Sequence, residues 1–233
     1  MSGTTIIISC MDRRLNKILD SMNSGDDKRV FLRNAGAAVP GLERTIRYAI
    51  DNGNVSELLL VAHTDCGAMG YVYNAIKNGK DGLHAGLVSQ FDKASFASRL
   101  ELEQLNEKRQ KEALERMFGN KGIRISSRLV ELSESADNGK KHILVVTKTS
   151  TKKYADIADA IGENAEDCYF IQANDIEEVI PDIAVGTDLL GIKDVRLAAL
   201  ESSQYRQVQN DFERLKARGV ESKAKLSMIR LDL

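Results

Sequence analysis

The chain has 233 residues, of which 42% are apolar, and a formal net charge of −1. That length supports one large domain, or one domain with an appendage, around a substantial core. The near-neutral balance argues against a general nucleic-acid binder, and no apolar run approaches the roughly 20 residues of a membrane span. The opening residues Met1 to Thr5 lack a basic region and a long apolar core, so a cytosolic chain is expected rather than a secreted one. Three cysteines fit reduced thiols better than a disulfide framework.

Taken in order, Thr5 to Ser9 is β-branched and apolar and reads as a strand that runs directly into Cys10. Leu15, Ile18, Leu19 and Met22 recur at helical spacing. A turn is expected over Asn23 to Asp27, then a second short strand, Val30 to Leu32, that ends in Arg33-Asn34-Ala35-Gly36. Leu42, Ile46, Ala49 and Ile50 mark the next helix, closed by Asn52-Gly53. Leu58 to Ala62 is a continuous apolar run, as in a strand buried on both faces. It stops at His63-Thr64-Asp65-Cys66-Gly67, and Ala68 to Ile76 again reads as a helix. Strand and helix alternating at this spacing predict an α/β fold: a mainly parallel open sheet flanked by helices.

Gly79 to Gly86 is expected as a loop. Leu87 to Phe118 reads as a charged, solvated helical stretch laced with ion pairs. Ile125, Leu129 and Leu132 suggest another helix. His142 to Thr147 is a clear strand, Tyr154 to Ile161 helical, Cys168 to Gln172 a strand and Asp211 to Ala217 helical, with a last strand over Leu226 to Leu233. The expected division is a domain over 1–150, with a helical insertion at about 80–135. An atypical α/β extension over 151–233 is expected to pack on the same sheet.

Ligand sites in open α/β sheets form at the carboxyl ends of the strands. Cys10 ends the first strand, and His63 and Cys66 follow the third. If the second strand lies outside the first, these three side chains converge. Read alone, His63 and Cys66 are by default a core histidine and a small buried thiol. Together with Cys10 they make a Cys2His set with a free fourth position, the donor chemistry of a catalytic zinc site.

The combination resembles the β-class carbonic anhydrases, a zinc enzyme family marked by C-x-D-x-R and, some fifty residues on, H-x-x-C-G. Here these read Cys10-Met11-Asp12-Arg13-Arg14 and His63-Thr64-Asp65-Cys66-Gly67. Arg33-Asn34-Ala35-Gly36 between them is similar to the family's R-N-A-G element. Met11 and Thr64-Asp65 are most like its small microbial subgroup. The resemblance covers residues 4 to 78 and implies several expectations. Cys10, His63 and Cys66 bind Zn2+, which lowers the pKa of bound water to about 7. Asp12 and Arg14 form a pair that orients that water, and Asp12 takes the fourth zinc position when the pair opens. The reaction is reversible hydration of CO2 to bicarbonate, a small-molecule substrate, in a homodimer or higher homo-oligomer whose sites lie near a subunit boundary. Arg33 and Asn34 either support the site edge and dimer contact or shape a turn. Gly36 and Gly67 serve backbone geometry or close approach.

Other readings accompany these. Hydrolysis of CS2 or COS is the alternative chemistry on the same site. A catalytically silent zinc protein using Arg99 to Arg116 as an interaction surface is the alternative from another class. Asp65 is expected to cap the following helix, Arg13 to face solvent, and His84 to cap or sit in a loop rather than shuttle protons. His142 and Cys168 are expected to be structural. The chain departs from the family in lacking a helical arm before the first strand and the glutamine that plant-type members carry before the second. It also shows no match to the usual short closing segment.

Overall fold

The structure is a computed structural model and describes residues 3–23, 28–79, 84–133, 141–148 and 150–233. The strands are β1 Thr4–Cys10, β2 Arg29–Asn34, β3 Val55–His63, β4 Arg124–Val130, β5 His142–Val146, β6 Cys168–Gln172, β7 Asp194–Ala199 and β8 Lys225–Arg230. The α-helices are α1 Asn16–Met22, α2 Glu43–Asn52, α3 Gly67–Asn78, α4 Ala85–Val88, α5 Arg99–Phe118, α6 Tyr154–Ala160, α7 Ile176–Ala184 and α8 Tyr205–Ala217. The strands form one sheet in the order β4-β3-β1-β2-β6-β5-β7-β8. Every pairing is parallel except β2 with β6. The α/β class and the mainly parallel open sheet are therefore as expected, and the strands after residue 151 belong to the same sheet.

The central strands are buried because helices cover both faces. Ile6, Ile7 and Ile8 of β1 and Leu144 and Val145 of β5 are almost wholly excluded from solvent. Consecutive β-branched and aliphatic residues suit such a position, since neither face of the pleat meets water. β1 lies between β2 and β3, as the convergence of Cys10 with His63 requires.

Several expectations change. Residues 125–132 do not form a helix: β4 pairs with β3 from Glu57–Arg124 through His63–Val130. Alternation of Ile125, Ser127 and Leu129 with Arg124, Ser126 and Arg128 is the two-residue period of a strand. The strand at His142 to Val146 is fifth in order and lies between β6 and β7. The stretch expected as a helical insertion is helical in α4 and α5 and closes with a strand. The charged helix α5 is not simply solvated, because it buries Leu102, Glu103, Asn106, Gln110, Ala113, Leu114 and Phe118. The elements α7 and β7 were not legible; Pro181 lies inside α7 and reads as a breaker. The turn expected after Asn23 and the loop between Gly79 and His84 fall outside the described residues.

The structural readings of three residues hold. His84 caps α4, its side chain accepting from the Leu87 amide. His142 opens β5 and meets Asp194 at 2.7 Å. Cys168 opens β6 fully buried, and burial, followed by the Glu163 charge, pushes its thiol up to about 12. A thiol held neutral and covered is a poor nucleophile. Native protein treated with iodoacetamide at pH 8 should leave Cys168 unmodified, and protein in urea should not. Labelling of Cys168 in native protein, read by peptide mass, would contradict this burial.

Candidate metal centre

The three predicted ligands converge at one edge of the sheet. Cys10 ends β1 and His63 ends β3 on the neighbouring strand; Ser9, one residue before Cys10, pairs with Val61, two residues before His63. Cys66 stands immediately before α3. All three are buried, and their ligand atoms lie within 4.8 Å of one another. Cys10 Sγ and Cys66 Sγ are 3.9 Å apart. Two thiolates on one tetrahedral zinc at about 2.3 Å would stand about 3.8 Å apart, so the spacing fits.

The histidine supplies a second test. His63 Nδ1 lies 2.9 Å from the carbonyl oxygen of Thr64, which fixes Nδ1 as the protonated nitrogen. The other nitrogen, Nε2, is buried and has no hydrogen-bond partner. A buried lone pair without a partner is costly, and a dication held with the two sulfurs removes that cost. The Cys10 thiol is pushed up by its hydrogen bond with Cys66 and by burial, a state that metal binding reverses by displacing the proton. The residues present fit zinc.

Asp12 and Arg14 follow Cys10 on a short 3-10 turn, which is why an i, i+2 pair points one way. Arg14 Nε donates to Asp12 Oδ1 at 3.0 Å and Nη2 to Oδ2 at 2.7 Å, a two-pronged contact. Burial alone would raise the Asp12 carboxyl, but the Arg14 guanidinium holds it below its ordinary value. Asp12 Oδ2 is 4.0 Å from His63 Nε2, at the border of the triad.

Asp65 does not cap α3. The cap position is Cys66, and the Asp65 side chain instead accepts from Arg14 Nη1 at 2.6 Å and meets Arg99 Nη2 at 3.1 Å. Its positive φ of 53° turns the chain so that its carbonyl also accepts from Arg14. Glu103 completes this network. From the buried face of α5 it accepts from the Asp65 and Cys66 amides at 3.0 and 2.8 Å and from Arg99 Nε at 3.1 Å. Arg99 and Glu103 were missed in the sequence. Their only trace is an Arg-x-x-x-Glu spacing in a helix full of such pairs.

Arg33 is fully buried beneath the site, donating to the carbonyls of Cys10 and Asp12 and to Asn16 Oδ1. It therefore shapes the loop that carries Cys10 and Asp12. Asn34 braces the next turn through the Ala38 amide and carbonyl and does not line the pocket. Gly36 has φ of 70°, and its amide donates to Cys10 Sγ at 3.3 Å; a Cβ there would meet Met69 at 2.9 Å. Gly67 lines the pocket at the start of α3. Arg13 does not face solvent: its guanidinium donates to the Glu166 carbonyl and lies over the Tyr169 ring. Replacing Arg33 by Met should cost roughly 3 kcal/mol, since three buried acceptors lose their donor. A urea midpoint unchanged from the parent protein would show that Arg33 does not carry the loop.

These side chains border a pocket of about 280 Å3 that reaches Cys10, Asp12, Arg14, Asp65 and Gly67. No helix among the described residues is long and apolar enough to cross a membrane.

No curated protein sequence matches the chain. A solved carbonic anhydrase from Glaciozyma antarctica is 19% identical over 55% of this chain and 75% of its own, with a TM-score of 0.37. The apo form of a carbon disulfide hydrolase is 22% identical over 56% of this chain and 76% of its own, with a TM-score of 0.32. The profile of the carbonic anhydrase family matches residues 5–147, a span that takes in Cys10, His63 and Cys66 and most of the chain. The chain belongs to the β-class carbonic anhydrase family.

Proposed function

We propose that the protein is a zinc-dependent carbonic anhydrase that hydrates CO2 reversibly to bicarbonate at the Cys10–His63–Cys66 site. The observation that carries this reading is the partnerless Nε2 of His63, aimed at two thiols beside a held carboxylate. Zinc bound there supplies a Lewis acid that ionises water near neutral pH.

The chain's own residues do the rest. Arg14 keeps Asp12 ionised and fixed, so that its carboxylate accepts a hydrogen bond from a donor beside the triad. Asp65 and Ser133 hold Arg14 in turn, through bonds to Nη1. Glu103 fixes the backbone at Asp65 and Cys66, so the loop need not reorganise during reaction. Met11, Ala35 and Ala68 give the pocket an apolar patch suited to a small linear molecule. The proton released on hydration leaves to solvent.

A substrate panel tests the reaction. Stopped-flow CO2 hydration should rise with pH over about 6.5 to 9, bracketing a water ionisation near 7. Background CO2 hydration with sulfide released from COS or CS2 would move the assignment to the hydrolase. Full zinc with none of these activities would leave a metal-bearing interaction protein.

A further inference from the structure

The two halves of the chain share one topology. Strands β1, β2 and β3 begin at residues 4, 29 and 55, and β5, β6 and β7 at 142, 168 and 194, each with helices between. The strand order reads outward from the centre as second, first, third, fourth in both directions: β2-β1-β3-β4 one way and β6-β5-β7-β8 the other. The halves meet where β2 and β6 pair antiparallel, through Arg33 and Gln172. Those two residues occupy the same place in their own halves. Arg33 pairs with Ser9 of β1, and Gln172 with Val146 of β5. A two-fold axis through the Arg33–Gln172 pair thus relates them.

Register then shows what stands where the ligands stand. Ser9 corresponds to Val146, so Cys10 corresponds to Thr147. Val61 pairs with Ser9, and Ala198 with Val146, so His63 corresponds to Leu200 and Cys66 to Ser203. No thiol or imidazole stands at those three positions, and among the described residues the second half has no such metal triad. It does reach the first half's site. Tyr169, Val185 and Leu190 line the pocket beside Cys10 and Gly67. Leu190 Cδ2 lies 3.8 Å from where a Gly67 Cβ would sit. A π-helical turn, Val185–Leu189, carries the chain over the site, a local irregularity common at functional positions.

The seam is braced on both sides of the axis. Asn16 donates to the carbonyls of Ala165 and Cys168 at 2.6 and 2.9 Å, and the Ala35 amide to Asp182 at 2.9 Å. Arg33 stacks on the Tyr154 ring at 4.6 Å.

We infer that residues 142–230 are an internal counterpart of residues 4–130 that serves as a built-in second wall of the metal site, with Leu190 as a specificity-determining side chain and one metal per chain. The arrangement puts in one chain what two copies paired through β2 would provide, and β6 already occupies that edge. The resemblance in sequence implied a homodimer; the internal counterpart supplies the neighbouring wall without one. The inference rests on metal binding at Cys10, His63 and Cys66 but not on which substrate is turned over.

The test uses the full chain loaded with cobalt, with thiocyanate as the probe anion followed in the visible spectrum. One cobalt per chain is expected, on a monomer of 25.7 kDa in sedimentation. Leu190→Trp should weaken thiocyanate binding at least about tenfold with cobalt content unchanged, because the larger ring fills the pocket mouth. Leu189→Trp, on the neighbouring and 41% exposed residue, should change neither. Two cobalt ions per chain, an equal thiocyanate affinity in Leu190→Trp, or an affinity that falls as the chain is diluted would each overturn the inference. Tight thiocyanate binding in a protein that hydrates no CO2 would sink the proposed reaction and leave the wall standing.

Discussion

Replacing His63 by Ala, or Cys10 by Ser, should reduce zinc affinity by more than about 100-fold. Altering a supporting group beyond the ligands typically costs 10- to 100-fold, and these changes remove a ligand itself. The His63 substitution takes away the neutral nitrogen whose lone pair faces the thiols. The Cys10 substitution trades a soft sulfur 3.9 Å from Cys66 for a hydroxyl that does not ionise near neutral pH. CO2 hydration should fall to the buffer background in both, while far-ultraviolet circular dichroism stays that of the parent. Zinc retained at one per chain in either variant would show that the ion sits elsewhere.

The second large effect concerns Asp12. Asp12→Asn should lower turnover about 10²- to 10³-fold with zinc content unchanged, because the positioned anionic acceptor becomes a neutral amide. Arg14→Lys should fall between that variant and the parent. A lysine keeps the charge but cannot match the two-pronged contact that Arg14 makes at 3.0 and 2.7 Å. It also loses the contacts to Asp65 that tie this pair to Glu103 and the Cys66 amide. If Asp12→Asn turned over at the parent rate with full zinc, the carboxylate would have no part in the reaction.

How much of this was legible depends on distance along the chain. Cys10 and His63 could be placed because each ends a run of residues that suits only a buried strand, and strand ends share one edge of the sheet. Asp12 and Arg14 were legible only through the C-x-D-x-R motif, since on spacing alone they read as a plain surface ion pair. Asp65 was not. Its neighbours suggested a helix cap, whereas two guanidiniums from elsewhere, Arg14 and Arg99, claim its carboxylate. Glu103 is hidden for a similar reason. It stands 37 residues from Cys66 in a helix of mixed charge, and only folding shows which of that helix's acids is buried.

The second half was harder to read. Its strands at His142 and Cys168 left clear apolar runs, and the last strand, expected over Leu226 to Leu233, runs from Lys225 to Arg230, but β7 mixes Asp194 and Arg196 with Val195 and Leu197. Those charges are satisfied by His142 and Glu163, which come from other elements. The correspondence between the halves lies in strand register rather than in matching residues. Arg33 faces Gln172, Cys10 matches Thr147 and His63 matches Leu200. A search for repeated sequence has nothing to find there.

The measurement that bears most directly on the account is a zinc titration of activity. Protein stripped of metal by a chelator is given increasing zinc, and CO2 hydration is followed at each step near pH 8.5. Activity should rise in proportion to added zinc and stop rising at one equivalent per chain. Activity that ignores zinc, or that climbs until a second equivalent is bound, would contradict a single Cys10–His63–Cys66 centre as the seat of the chemistry.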